Sequence, residues 1–270
     1  MRKSTVFNRF VLVALLSSYL FSCSQEDDPQ AKQEAPAVPP AATLEMELYS
    51  FSEEDASNGR ATAEGYWNVV HARVGFIVWN SIIKLQLAVP TIALAEAFKH
   101  QPTLVEAGKW RWTYDVEIDG NYQVTLYGSD QKNEQVGWEL YLSKKGGFQD
   151  FLWVEGTSAR NGTQGQWMVN TATSELMKVD WKKGDSDTVT ELTYTHVEKD
   201  SEYKGSYVKY QALDEGDYNT SYSVYLSNED NLFKINYNTE TLVGQVSDPK
   251  RFKDEAWHCW NGDFEDVSCE

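Results

Sequence analysis

Trp110-Arg111-Trp112-Thr113-Tyr114-Asp115-Val116-Glu117-Ile118, then Asp119-Gly120-Asn121, then Tyr122-Gln123-Val124-Thr125-Leu126, is the stretch that decides the fold. Large apolar residues take every second position of the first run, and charged or hydroxylic residues take the positions between. A period of two belongs to a strand with one face buried, because successive side chains leave a pleated backbone on opposite sides. Asp-Gly-Asn is hairpin chemistry, since the tight turns that join two strands need positive φ. The return run again sets Tyr122, Val124 and Leu126 on one face. Two antiparallel strands with a short turn are expected here.

The same pattern recurs downstream. Trp138, Leu140 and Leu142 share a face, as do Met177, Val179 and Trp181. Leu192, Tyr194 and His196 form another set, then Tyr222, Val224 and Leu226, then Phe233, Ile235 and Tyr237. Turn-rich stretches separate them at Lys144 to Gly147, Asn161-Gly162, Gly184 to Asp187, Asp214 to Asp217 and Asn228 to Asn231. Such spacing predicts a mainly β protein, an antiparallel up-and-down meander of about ten strands. A sheet of that width is expected to curve strongly, or to close into a barrel, and its concave side must be filled.

Upstream, Tyr66 to Leu87 is apolar on nearly every side, although His71, Arg73, Asn80, Lys84 and Gln86 recur through it. A helix without a wide polar face is usually buried on most sides. Charges at bilayer depth are costly, which argues against a membrane span. Pro90 is expected to end this helix, and Thr91 to His100 reads as a second one. A helical segment over about 65–100 is therefore predicted at the centre of the curved sheet.

Arg2, Lys3 and Arg9 precede an apolar run from Val11 to Phe21, too short to span a bilayer as a helix. Leu20-Phe21-Ser22-Cys23 closes that run and resembles the lipobox of a bacterial lipoprotein signal peptide. Ser24-Gln25-Glu26-Asp27-Asp28 follows, similar to the acidic export signal of Bacteroidota-type surface lipoproteins. The resemblance implies removal of 1–22, lipidation of Cys23 and attachment to the outer membrane, with display on the cell surface. The whole mature chain, with its closing segment Phe252 to Trp260, resembles a class of β-rich envelope lipoproteins. That likeness implies an anchored sheet-and-helix domain and no particular activity.

Residues 23–43 then read as a lipidated tether. Pro29, Pro36, Pro39 and Pro40 stand among Ala, Gln and Glu, a composition that buries no core. Twenty residues in polyproline II reach about 60 Å. Residues 44–270 read as a single β-rich domain.

Three cysteines are present. Lipidation of Cys23 leaves Cys259 and Cys269, which an oxidising compartment is expected to join. Loss of the leader's three cations takes the formal charge from −17 to about −20. Such a surface repels phosphate backbones, so nucleic acid is disfavoured as a partner. The expected partners are the membrane, through the anchor, and an outer-membrane protein.

The sequence carries no nucleophile elbow, phosphate loop, dinucleotide fingerprint or metal-ligand spacing, and no catalytic residue or cofactor is assigned. His71 reads as a core polar group. His258, between Trp257 and Cys259 and close to Trp260, gives the candidate binding cluster His258, Trp257 and Trp260. Gly-x-Trp, which opens lipocalins, occurs three times, at Gly65, Gly108 and Gly165. Turn glycines beside strand tryptophans produce it by default. Aromatics alternating with charges are expected in the core, whereas Tyr141, Trp153, Tyr207 and Tyr225 have no clear facing. A non-enzymatic, lipid-anchored binding or accessory protein is the expectation. A carrier with an apolar cavity and a glycan hydrolase with paired carboxylates are the alternatives.

A Cys23→Ala variant is expected to move from the membrane fraction to the soluble fraction. Intact-mass measurement of the wild type should show acyl chains that the variant lacks.

Overall fold

The computed structural model describes residues 34–45, 65–118, 120–184 and 188–269. Cys23 and the leader lie outside them. The chain is mainly β. Its strands are β1 (Thr103–Glu106), β2 (Lys109–Glu117), β3 (Asn121–Asp130), β4 (Gln135–Lys144), β5 (Phe151–Ala159), β6 (Gln164–Asn170) and β7 (Glu175–Lys183). They continue as β8 (Val189–His196), β9 (Tyr207–Ala212), β10 (Thr220–Leu226), β11 (Asn231–Tyr237), β12 (Gly244–Ser247), β13 (His258–Trp260) and β14 (Asp266–Val267). One long helix, α1 (Trp67–Ala97), precedes the sheet, and a short one, α2 (Pro249–Phe252), follows β12.

The strands form one fourteen-stranded antiparallel sheet in chain order. Fourteen exceeds the expected ten or so because β1, β12, β13 and β14 are too short for alternation to show in sequence. The sheet is open: β1 pairs only with β2, and β14 only with β13. A barrel closed by pairing of first and last strands is not what these residues form. The edges are protected in the usual ways: β1 is short and irregular, and the chain at Gly65 accepts a bond from the Asp266 amide on β14.

The alternation read from sequence is the burial pattern. In β2 the buried positions are Trp110, Trp112, Tyr114 and Val116. Tryptophans on this face lie over glycines of the neighbouring strand. Trp138 pairs with Gly128, Trp167 with Gly156, Trp181 with Gly165 and Trp260 with Gly244. A Cβ on Gly165 would come within 2.6 Å of the Trp181 ring, and one on Gly244 within 2.1 Å of the Trp260 ring. The glycines thus make room for the indoles. Two indole N–H groups find hydroxyls inside: Trp138 donates to Ser158 at 2.9 Å and Trp167 to Thr43 at 3.0 Å.

That last bond corrects the tether. The compact unit begins at Glu34, not at residue 44. Val38, Thr43 and Leu44 are buried, and the 3-10 turn Ala41–Thr43 packs on β7, β8 and α1. Leu44 supplies apolar surface to the core, and Thr43 supplies the acceptor that Trp167 needs.

α1 is one helix of 31 residues and runs through Pro90. Proline removes one backbone bond, to the carbonyl four residues back. Here that carbonyl belongs to Gln86, an exposed residue, while Pro90 itself is buried. No side chain near Tyr66 caps the helix start. Asp266 of β14 does so instead, accepting from the Trp67 and Asn68 amides at 3.0 Å each. Asn68 Nδ2 also donates to the Cys259 carbonyl at 2.9 Å. The Cys259–Cys269 disulfide closes this same C-terminal hairpin. Near the other end, Tyr114 of β2 donates to the Ala93 carbonyl at 2.7 Å.

α1 therefore touches both flanks of the sheet, β2 and β3 on one side and β12, β13 and β14 on the other. From His71 to Ala93 it covers about 33 Å at 1.5 Å per residue. Across the strands, β2 to β12 measures about 48 Å. Between those flanks the strands run on as one open sheet that does not close. The helix expected at the centre is packed along one side only: Ile83 and Leu87 at mid-length are as buried as Val69 and Leu94 near its ends.

An Asp266→Ala variant should lose about 1–2 kcal/mol of stability, the cost of an N-cap. Urea denaturation followed by tryptophan fluorescence measures it.

Candidate functional site

Between its two anchored ends, α1 stands off the middle strands. Its inward residues Ala72, Phe76, Ile83, Leu87 and Leu94 are buried. Its exposed residues are apolar too: Leu85 is 83% exposed, Val74 56%, Ile77 54% and Ile82 47%, and of these Leu85 and Ile82 border the cavities beside the helix. The helix is long and apolar enough to cross a membrane by length and composition, yet only 28% of its most apolar window is buried. A helix apolar all round was expected to be enclosed; this one is half open.

The gap on one side is a cavity of about 530 Å³. Val78, Trp79, Ile82 and Ile83 of α1 form one wall. Leu176 and Met177 of β7, Tyr194 and His196 of β8, and Tyr207 and Val208 of β9 form the other, with Tyr203 and Ser206 at the β8–β9 connection. The second is a cavity of about 300 Å³, lined by Leu85, Phe148, Phe151, Trp153 and Val169 among others. Gln86 and Leu176 line both, so the two adjoin as one open trough alongside the helix from β5 to β9. A third hollow, of about 560 Å³, shares Tyr203 with the first and is polar, with Glu198, Lys199, Asp200 and Glu202 on its rim.

The trough's polar groups are few. His196 Nε2 is closed to solvent without a hydrogen-bond partner, 3.8 Å from the Glu198 carboxylate. Tyr207 packs on Tyr225 at 5.6 Å. Phe148, Phe151 and Trp153 meet one another at 5.6–5.9 Å with rings inclined by 55–75°. Such mutually tilted rings make an apolar wall and do not offer one flat face for stacking on a sugar.

The residues singled out in the sequence each have partners within the domain. Trp260 is fully buried, and its indole donates to the Leu242 carbonyl at 2.9 Å. His258 Nε2 lies 3.0 Å from Asp254, and its ring stacks on Phe252 at 3.7 Å. The Lys234 ammonium sits 4.9 Å over the Trp257 ring. The hydrogen bond from His258 holds the Asp254 carboxyl below the usual range.

Among the described residues, no group of three or more His, Cys, Asp or Glu could hold a metal ion. A polar hollow of about 320 Å³ on β4 to β8 carries Asp180 and Glu191. Both are committed to ion pairs, with Lys178 at 2.7 Å and Lys182 at 3.0 Å.

His71 belongs to a buried clamp at the start of α1. Its Nε2 lies 2.8 Å from Asp248, which also accepts from Asn231 at 3.0 Å and from the Lys250 and Arg251 amides at the start of α2. Phe233 and Phe252 meet the His71 ring edge to face. Burial by itself pushes the Asp248 carboxyl up. The bonds from Asn231, His71 and the Arg251 amide outweigh it and leave the pKa below the usual aspartate value.

The sequence missed the trough because its signal is an absence of polarity. The outward positions Ile77, Val78, Ile82 and Leu85 were read as one more buried face. Two of the four aromatics without clear facing, Trp153 and Tyr207, turn out to line the trough. The other two bond locally, Tyr141 to Glu139 and Tyr225 to Asp230.

No protein-family model, no curated protein and no solved structure matches this chain.

Asp248 gives a pH prediction with a definite sign. Its folded pKa is depressed, so its contribution is complete above the unfolded aspartate value near 4 and fades as pH falls through the folded value. Asp248→Asn should cost about 2 kcal/mol at pH 6. The gap from wild type should narrow toward pH 2, as read from urea midpoints across that range.

Proposed function

We propose that this chain is a lipid-anchored outer-membrane protein, attached through Cys23, whose domain binds an apolar ligand in the trough between α1 and strands β5 to β9. It acts as a binding protein or carrier rather than an enzyme. What supports the reading is the trough itself: about 530 Å³ and 300 Å³ of adjoining space, walled chiefly by aliphatic and aromatic side chains. Ligand sites are concave, mostly apolar and preformed, with a few polar groups fixing orientation. An anchor and a short proline-rich linker would hold such a domain beside its membrane.

The expected layout of a strongly curved sheet around a central helix fits this role in a modified form. The sheet curves over a helix that is tied at both ends and leaves a passage beneath its middle. An outer-membrane partner would then receive or deliver the ligand at the exposed face of α1. A glycan-hydrolase reading has less support, since Asp180 and Glu191 are each taken up by a lysine.

N-Phenyl-1-naphthylamine, a neutral apolar dye, is expected to bind the purified protein with a blue-shifted, saturable fluorescence. Ile82→Glu should weaken that binding at least tenfold. Ile82 is 47% exposed, so its thermal midpoint should stay within a few degrees of wild type. No saturable binding, or equal binding by the variant, would count against the trough.

A further inference from the structure

The trough and the polar hollow beyond it form a series. Apolar space runs from Phe148 and Trp153 to Tyr203, and polar space begins at Tyr203. Across the strands, β5 to β9 spans about 19 Å, the reach of an extended chain of roughly fifteen methylenes. Gln86 and Leu176, shared by both apolar cavities, set the junction that a thread-like tail crosses. At the polar end, Glu198, Asp200 and Glu202 stand against a single cation, Lys199, within the hollow. His196, which lines the apolar side, lies 3.8 Å from Glu198 on the polar side and marks the join between the two.

We infer that the ligand is a single-chain amphiphile whose head carries no net negative charge, with its tail along the trough and its head among Glu198, Asp200 and Glu202. This rests on the trough being a ligand site. The tail is selected by length, because each added methylene is removed from water. The head is selected by charge: an anion would face three carboxylates and a cation or a neutral polyol would not.

The test is displacement of bound N-phenyl-1-naphthylamine by amphiphiles of equal tail and different head, each below its micelle concentration. At pH 8 and low salt, dodecyltrimethylammonium and dodecyl maltoside should displace the dye at concentrations at least tenfold below dodecanoate. Salt at 0.5 M should erode the cation's advantage several-fold. The double variant Glu198→Gln, Glu202→Gln should do the same at low salt. Within the trimethylammonium series, affinity should rise about fourfold per methylene from eight to twelve carbons. Dodecanoate displacing as well as the cation, or affinity independent of tail length, overturns the inference while the trough stands. If the dye itself finds no saturable site, the trough reading fails and takes the inference with it.

Discussion

The structure depends on α1 being tied at its two ends and nowhere between with equal strength. At the start, a carboxylate from the last strand caps the first turn, and Asn68 reaches the Cys259 carbonyl. Near the finish, the Tyr114 hydroxyl holds the Ala93 carbonyl. Burial pushes that hydroxyl's pKa well up, with the Glu96 charge adding to it, so it stays protonated and remains a donor. The two anchor points belong to opposite flanks of the sheet. Between those two anchor points α1 is bordered by the two adjoining apolar cavities, lined on the helix side by Val78, Trp79, Ile82, Ile83, Leu85 and Gln86.

The sheet has its own requirement. A wide sheet must pack large residues on its core face without crowding where strands approach. The indoles over glycines meet it. Trp138, Trp167, Trp181 and Trp260 each lie against a glycine of an adjacent strand, and each is nearly or fully buried. Glycine alone would weaken a strand, having no side chain to pack. The neighbouring ring covers the bare backbone and restores the contact. The Gly-x-Trp at Gly165 and Trp167 has the same origin: both residues point inward, Gly165 under Trp181 and Trp167 over Gly156.

Much of this was legible in the sequence, and the reasons are local. Strand and turn assignments from Trp110 to Leu142 and from Met177 to His196 rest on alternation, which is a property of neighbouring residues. The disulfide came from parity. What was not legible depends on distant partners. Asp266 gives no sign in sequence of capping a helix 199 residues away. Thr43 gives none of accepting from Trp167, so a proline-rich stretch looked like tether to its end. Pro90 read as a helix breaker because sequence does not reveal the packing that buries it and carries the helix on to Ala97. The open side of α1 was hidden for a different reason. An apolar face is usually buried, and only its neighbours in space decide whether anything covers it.

The exposed face of α1 is too costly to be incidental. Val74, Ile77, Val78, Ile82, Leu85 and Ile92 are 43–83% exposed on one helix. Together they leave about 500 Å² of apolar side chain in water, the upper range of patches seen on monomers. Burying that area would be worth on the order of 10 kcal/mol as an upper estimate. A domain's whole stability is about 5–15 kcal/mol. Polar residues at these positions would keep the inward packing and improve solubility. Instead, Lys84 and Gln86 are the only strongly polar side chains among the exposed positions from Ile82 to Ala88. The helix thus keeps an apolar surface beside an apolar trough, on a segment already held at both ends. If the trough takes a ligand as proposed, the fixed ends of α1 let its middle exchange solvent for that ligand without the fold having to change partners.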